Sequence, residues 1–249
     1  MGGVSPRPAA PRRAPSLLDA AARVLSAEGP AALTTRRLAR EAGCSTMAVY
    51  THFGGMTGLV RAMVHEGFAR LHARFDRVAP SADPVADLAL YGRAYRASAT
   101  AAPHLYAVMF GASSLAGFSL TEEDRQHGRY TLAPVISCTE RCMREGRFTS
   151  DDPFAVAHRM WTGVHGVVSL EFGSYLVAPY DADDCFESVL PALMVGAGDL
   201  RERAEESVAL SCARFRGAVP GSVNPPSTKT SGEASAPGTA LRTSPTTME

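Results

Sequence analysis

The chain has 249 residues, enough for one large domain or two modest ones around a buried core. Its 25 basic residues balance 25 acidic ones, so net charge gives no nucleic-acid signal and any basic surface must be local. The five cysteines include no Cys-x-x-Cys pair, and Cys138 and Cys142 have no nearby histidine to complete a zinc set. No segment approaches the ~20 apolar residues of a membrane helix. The expectation is a soluble cytoplasmic protein with no metal, no cofactor and no membrane span. Every basic residue except Lys229 is arginine, so a phosphate contact would come from a guanidinium or a neutral donor.

In chain order, residues 1–14 are Pro, Arg, Ala and Gly and read as a mobile basic arm. A first helix is expected from Ser16, capped by that serine, with Leu17, Ala21, Val24 and Leu25 on its apolar face. Gly29 and Pro30 stop it. A second helix opens at Thr34 or Thr35 and runs to Gly43, which supplies a left-handed turn. Ser45 caps a short third helix, Thr46 to Phe53, and a long helix follows from about Thr57 to Arg77.

Beyond it, helices are expected over 83–101 and 103–110, with a Gly/Ser loop across 111–119. The stretch 121–146 is broken or kinked at Pro134. A helix opening with Pro153 at its first position follows, then one over about 182–195 with Pro191 inside it. Asp199 and Glu202 have capping-box spacing and would open a last helix to about Arg216. Residues 218–249, rich in Pro, Ser, Thr and Gly, read as a disordered tail.

The pattern is all-α, with two parts. Residues 15–61 form a three-helix head with a helix-turn-helix, and 62–217 a larger helical body. In the head, two short helices joined by a Gly turn can lay the second in a DNA major groove. That helix begins with Ser45, Thr46, Met47 and Ala48, small or flexible side chains that let the backbone approach base edges. Thr46 can donate and accept, and Met47 can touch a thymine methyl. Tyr50 and His52 can donate to phosphates, whereas Val49 and Phe53 are spaced to anchor the helix on the core. Up to residue 60, seven arginines stand against Asp19, Glu28 and Glu41, a local excess of four positive charges.

The order Thr34-Thr35-Arg36-Arg37-Leu38-Ala39, Gly43, Tyr50-Thr51-His52-Phe53 resembles the DNA-binding domain of the TetR family. The resemblance spans about 45 residues, from Ser16 to Val60. It implies that Thr35 and Tyr50 hold phosphates, that Arg36 reaches a base edge, that Thr46 and Met47 read bases and that His52 touches the backbone. Arg37, Ser45 and Thr51 complete the candidate DNA-binding set. One departure is Met56, where the family usually has Lys; arginines 7, 12 or 13 of the arm could substitute.

In the body, Trp161-Thr-Gly-Val-His165-Gly166 resembles the Trp-x-x-x-His-Gly signature of one class of TetR C-terminal domains, and 103–110 looks like the same class. Trp161 and His165 share a helix face. Tyr91, Tyr95, Met109, Phe110, Met143, Trp161 and His165 either line a ligand cavity or simply pack as core. The resemblance implies a homodimer, with its interface on 152–178 and 182–197, where Gly163, Gly173 and Ala178 permit close approach. It further implies a double-stranded DNA partner, a palindromic operator, and repression relieved by a small, largely apolar effector. An enzyme is the rival class, but no nucleophile motif, phosphate loop or metal spacing accompanies His158, His165 and Glu171. A helical interaction module without a DNA role is the other rival, and the Tyr-x-His-Phe head argues against it.

Overall fold

The computed structural model describes residues 13–111 and 115–218. Among these residues there are helices and no strands. The head comprises α1 (Arg13–Glu28), a 3-10 turn (Pro30–Ala32), α2 (Thr35–Glu41) and α3 (Thr46–Phe53). The helix α4 (Met56–Phe75) leads into the body of α5 (Pro84–Ala101), α6 (Pro103–Met109), α7 (Glu122–Tyr130), α8 (Ala133–Arg144), α9 (Pro153–Phe172), α10 (Ala182–Gly196) and α11 (Arg201–Ala218).

Two expected helix starts shift. Helix α1 begins at Arg13, so Ser16 is inside it. Pro15 is tolerated there because a first-turn residue has no intrahelical N–H bond to lose. The other is Asp199, which does not cap α11. It lies two residues before that helix, and its buried carboxylate accepts from Arg147 at 3.1 and 2.7 Å. The expected arm and tail fall almost wholly in residues 1–12 and 219–249, outside the described residues. The stretch 121–146 divides at Thr131–Leu132 into α7 and α8, with Pro134 in the first turn of α8.

The head core is Leu17, Ala21, Val24 and Leu25 of α1 against Leu38, Val49, Leu59, Val60 and Val64. Burying each such Val or Leu side chain contributes ~1.5–3 kcal/mol. The same core takes in Val108 and Met109 of α6, with Leu115 and Phe118 beyond it. The body core is a second cluster, built on α5, α8, α9, α10 and α11 together with Leu71 and Phe75 of α4. Helix α6 therefore faces two ways: Val108 and Met109 belong to the head, and Tyr106 to the body.

Three buried ion-pair clusters tie the body together. Asp87 accepts from Arg141 at 2.8 Å and Arg214 at 2.6 Å, and from Ser81 N–H and Oγ at 2.8 and 2.7 Å. Arg147 joins Asp199 to Asp83, the α5 N-cap, at 2.9 Å from the latter. Arg93 of α5 donates to Ser211 of α11 at 2.9 Å and to Glu187 of α10 at 2.5 and 2.8 Å.

Candidate DNA-binding face and body cavities

Helix α2 starts where Thr34 accepts from the Arg37 N–H at 3.2 Å. Its C-terminal turn passes through Gly43 at φ 62°, the left-handed conformation that a side chain disfavours. Ser45 occupies the cap position of α3, but its side chain makes no capping bond. Ala48 and Val49 are buried against α1, α2 and α4, which fixes the rotation of α3. Thr46, Met47, Tyr50, Thr51 and His52 then share the exposed side, with Met47 67% and Tyr50 56% exposed. Phe53 is half-buried on the head core, as its spacing implied. The corner into α4 is tight: a Cβ on Gly58 would lie 1.8 Å from the Phe53 carbonyl oxygen.

The arginines of the head separate into two groups. Arg37 donates to Glu28 at 3.0 Å and to Glu41 at 2.9 Å, so its guanidinium joins α2 to α1. Those bonds, the Glu28 one foremost, raise its pKa above the ordinary value. Arg23 pairs with Glu41 at 3.2 Å. Arg36 and Arg40 are exposed and enter no ion pair among the described residues. Thr35 is half-buried in the first turn of α2; Thr51 hydrogen-bonds the Met47 carbonyl at 3.0 Å. Met56 packs half-buried on the head core, so the position where the family has Lys serves packing here.

In the body, the expected ligand residues divide between two cavities. The first is a narrow apolar slot of about 40 Å³ whose lining includes Tyr91, Tyr95, Met160, Trp161, Val164 and Met194. The second, of about 190 Å³, lies between α4, α5 and α6, and Tyr95, Met109 and Phe110 help to line it; Met109, Phe110 and Trp161 also line a groove beside α7. Met143 lines none of these; it is half-buried against the body core.

Tyr95 lines both cavities and anchors a polar cluster. His165 Nδ1 is 2.8 Å from the Tyr95 hydroxyl and 2.6 Å from that of Tyr106, and the two hydroxyls are 3.2 Å apart. Burial lowers the His165 pKa, so the ring is neutral at pH 7. A neutral Nδ1 has one lone pair or one proton, so it serves one hydroxyl and the second bonds the first. Burial, then the neighbouring Tyr106, holds the Tyr95 hydroxyl well above its ordinary pKa; burial pushes Tyr91 up to about 12. Phe110 closes the cluster, its ring 4.7 Å from His165 and 4.8 Å from Tyr106. Tyr106 was not singled out from the sequence, although it lies one turn from Phe110 on α6.

The glycines expected at an interface behave differently. A Cβ on Gly163 would lie 2.7 Å from Leu193 Cδ1, so Gly163 lets α9 approach α10 within one chain. It borders neither cavity. A Cβ on Gly173, the other such glycine, would lie 2.7 Å from Tyr175 Cδ2 of the same chain.

Comparisons with known proteins bear on both parts. Residues 17–63 match the family described as "Bacterial regulatory proteins, tetR family", and 88–193 match "Tetracyclin repressor-like, C-terminal domain". No curated protein sequence matches the chain significantly. Among solved structures, a protein of unknown function from Rhodococcus sp. RHA1 is 25% identical, with TM-score 0.64 over 75% of this chain and 95% of that one. RolR in complex with resorcinol is 14% identical, with TM-score 0.59 over 80% of this chain and 93% of its own. SmeT, the repressor of the Stenotrophomonas maltophilia multidrug efflux pump SmeDEF, is 19% identical, with TM-score 0.56 over 74% and 89%. Two family matches placed in sequence on head and body, and a shared all-helical fold, identify the chain as a TetR-family transcriptional regulator with a helix-turn-helix DNA-binding head.

Proposed function

We propose that the protein acts as a homodimeric repressor on a palindromic operator and is released by a small, largely apolar ligand held in the body. The observation that carries the DNA reading is the exposed side of α3, where Thr46, Met47, Tyr50 and His52 stand clear of the core while Val49 is buried. An exposed Met beside small residues suits contact with a thymine methyl, and Thr46 suits a base edge. Arg36, exposed and free of ion pairs among the described residues, would reach a base. Thr35, Ser45, Tyr50, Thr51 and His52 would meet the phosphate backbone. Arg37, bound to Glu28 and Glu41, would position α2 rather than touch DNA.

Dimerisation places two heads on one duplex. Helix α9 leaves Phe154 and Leu170 exposed, and Tyr175, Val177 and Tyr180 are exposed on the segment that joins it to α10. This apolar stretch suits a second copy of the chain. Trp161, His165 and Gly166 would belong to the Trp-x-x-x-His-Gly class. Ligand binding would act as a population shift, favouring a head spacing that no longer fits successive major grooves about 34–36 Å apart. RolR, a structural relative, has been solved with resorcinol, which makes a small aromatic ligand a sensible class to screen. Selection from a random duplex library should return inverted repeats with half-sites about one DNA turn, 10–10.5 bp, apart. No enrichment, or enrichment of single half-sites by a monomer, would refute this reading.

A further inference from the structure

We infer that the cavity between α4, α5 and α6 binds an amphipathic carboxylate, an alkyl or aryl acid, with its charged end at Arg74 and its apolar body against Met109. The inference rests on the reading of the body as a ligand sensor and gives that ligand a charge. Three observations carry it. The cavity, of about 190 Å³, is smaller than the ~300–1,000 Å³ of sites for drug-sized ligands, which suits a short chain or a single ring. Its walls include Leu71, Ala99, Leu105 and Met109, an apolar and adaptable lining.

The polar groups on that lining are the second observation. Arg70 is occupied by Glu66 at 2.8 Å and Asp19 at 3.6 Å. Arg74, one turn further along α4, is exposed, and its guanidinium has no ion-pair or hydrogen-bond partner among the described residues. Ser98, on the facing helix α5, has a buried hydroxyl with no hydrogen-bond partner among the described residues. A buried hydroxyl without a partner is unfavourable, and a bound acceptor oxygen removes the penalty. A guanidinium and a hydroxyl donor on one cavity, with no unpaired carboxylate on its lining, select an acceptor-rich anionic group.

The third observation is position. Met109 lies against Gly67 of α4, where a Cβ would be 2.5 Å from its sulfur, and Met109 also belongs to the head core. A ligand that displaces Met109 therefore alters the packing that seats the head on α4 and α6. The first cavity has no such wall: none of its lining residues belongs to the head core.

The test uses full-length protein with sodium octanoate and octanamide, equal in length but differing in charge. Binding is read by calorimetry and by the fluorescence of the single tryptophan, Trp161. Octanoate is expected to bind about tenfold more tightly than octanamide, the worth of one charge-assisted pair. Arg74→Gln should abolish that preference, and Ser98→Ala should weaken octanoate a few-fold, with thermal unfolding checking that both variants fold. Equal affinities for the two probes, a preference that survives Arg74→Gln, or no octanoate binding at millimolar concentration overturns the site. Operator affinity is measured separately. Octanoate bound through Arg74 with no change in DNA binding supports the site and overturns the regulatory reading instead.

Discussion

Replacing Gly67 with alanine adds one methyl group at the seam between α4 and α6. Its Cβ would lie 2.5 Å from Met109 Sδ, 3.2 Å from Cγ and 3.3 Å from Cε. Ordinary carbon contacts lie at about 3.5–4.0 Å, so the thioether must retreat by roughly 1 Å. Two energies oppose each other. Gly→Ala inside a helix stabilises by about 1 kcal/mol, and overpacking a rigid core destabilises by about 1–3 kcal/mol. Met109 is unbranched and borders the cavity of about 190 Å³, so it has room to move and the overpacking falls at the low end. The net change in stability should be within about 1 kcal/mol, or roughly 2–4 °C in Tm. Octanoate binding should weaken about tenfold, because Met109 now occupies the ligand's place. Gly163→Ala is the control: its Cβ would lie 2.7 Å from the branched Leu193, away from both cavities, and should lower Tm without affecting octanoate. Thermal unfolding and Trp161 fluorescence titration read both variants. A Gly67→Ala protein that binds octanoate as tightly as the wild type refutes the reasoning, as does one that unfolds 10 °C earlier.

Further outcomes concern the head and the pH dependence of stability. Tyr50→Phe should weaken DNA binding similarly on all sequences, whereas Arg36→Ala should cost about 1–3 kcal/mol and relax preference at one base pair; anisotropy at fixed salt distinguishes them. Asp87→Asn should lower stability by about 3 kcal/mol, roughly 6–12 °C in Tm, because it leaves Arg141 and Arg214 without their shared counter-charge. Burial alone would raise the Asp87 pKa, but hydrogen bonds from Arg214, Ser81 and Arg141 outweigh it and hold it below the ordinary 3.8. Its stabilisation is therefore complete above that value and lost as pH falls through the folded one. His165, also depressed by burial, contributes fully above its ordinary 6.5 and loses that contribution as pH falls through its lower folded value. Calorimetry should therefore show an upper acid step from His165 and a lower one shared by Asp87, Glu41 and Asp124. Asp87→Asn should shrink the lower step and leave the upper one; loss of the upper one instead would assign the titration wrongly.

The head was legible because its determinants are local. A Thr-led helix, a Gly turn and the Tyr-x-His-Phe run each act within a few residues, and the periodicity that buries Val49 is the one that exposes Tyr50. Helix ends were less legible. Ser16 looked like a cap, but caps are set by where the chain turns, and Pro15 is compatible with an earlier first turn. Asp199 has capping-box spacing, yet its buried carboxylate is bound to Arg147, 52 residues away. The same limit hid the Asp87 cluster, whose partners are 54 and 127 residues distant. In the body, residue type suggested a lining but could not divide it: Tyr95 borders the first and second cavities, Met109 the second and the groove beside α7, and Met143 none of them. Gly163 shows why small residues alone do not locate an interface, since its close approach is to α10 of its own chain.

The two faces of α6 set what regulation through this body can look like. Val108 and Met109 are packed in the head core, while Tyr106, on the same short helix, holds His165 of α9. The head cannot reorient on the body without disturbing one of these contacts, and both border or adjoin the second cavity. Because packed side chains interdigitate rather than flow, such a disturbance selects between discrete arrangements. A ligand then acts only by its difference in affinity between them; a hundredfold preference corresponds to about 2.7 kcal/mol. Linkage requires the effect to run both ways. If octanoate weakens operator binding by some factor, saturating operator DNA must weaken octanoate binding by the same factor. Titrating octanoate into the protein alone and into its DNA complex gives two dissociation constants. Their ratio must equal the ratio of operator affinities with and without octanoate. Unequal ratios would mean that octanoate acts at more than the one cavity, for instance by competing with DNA for Arg36.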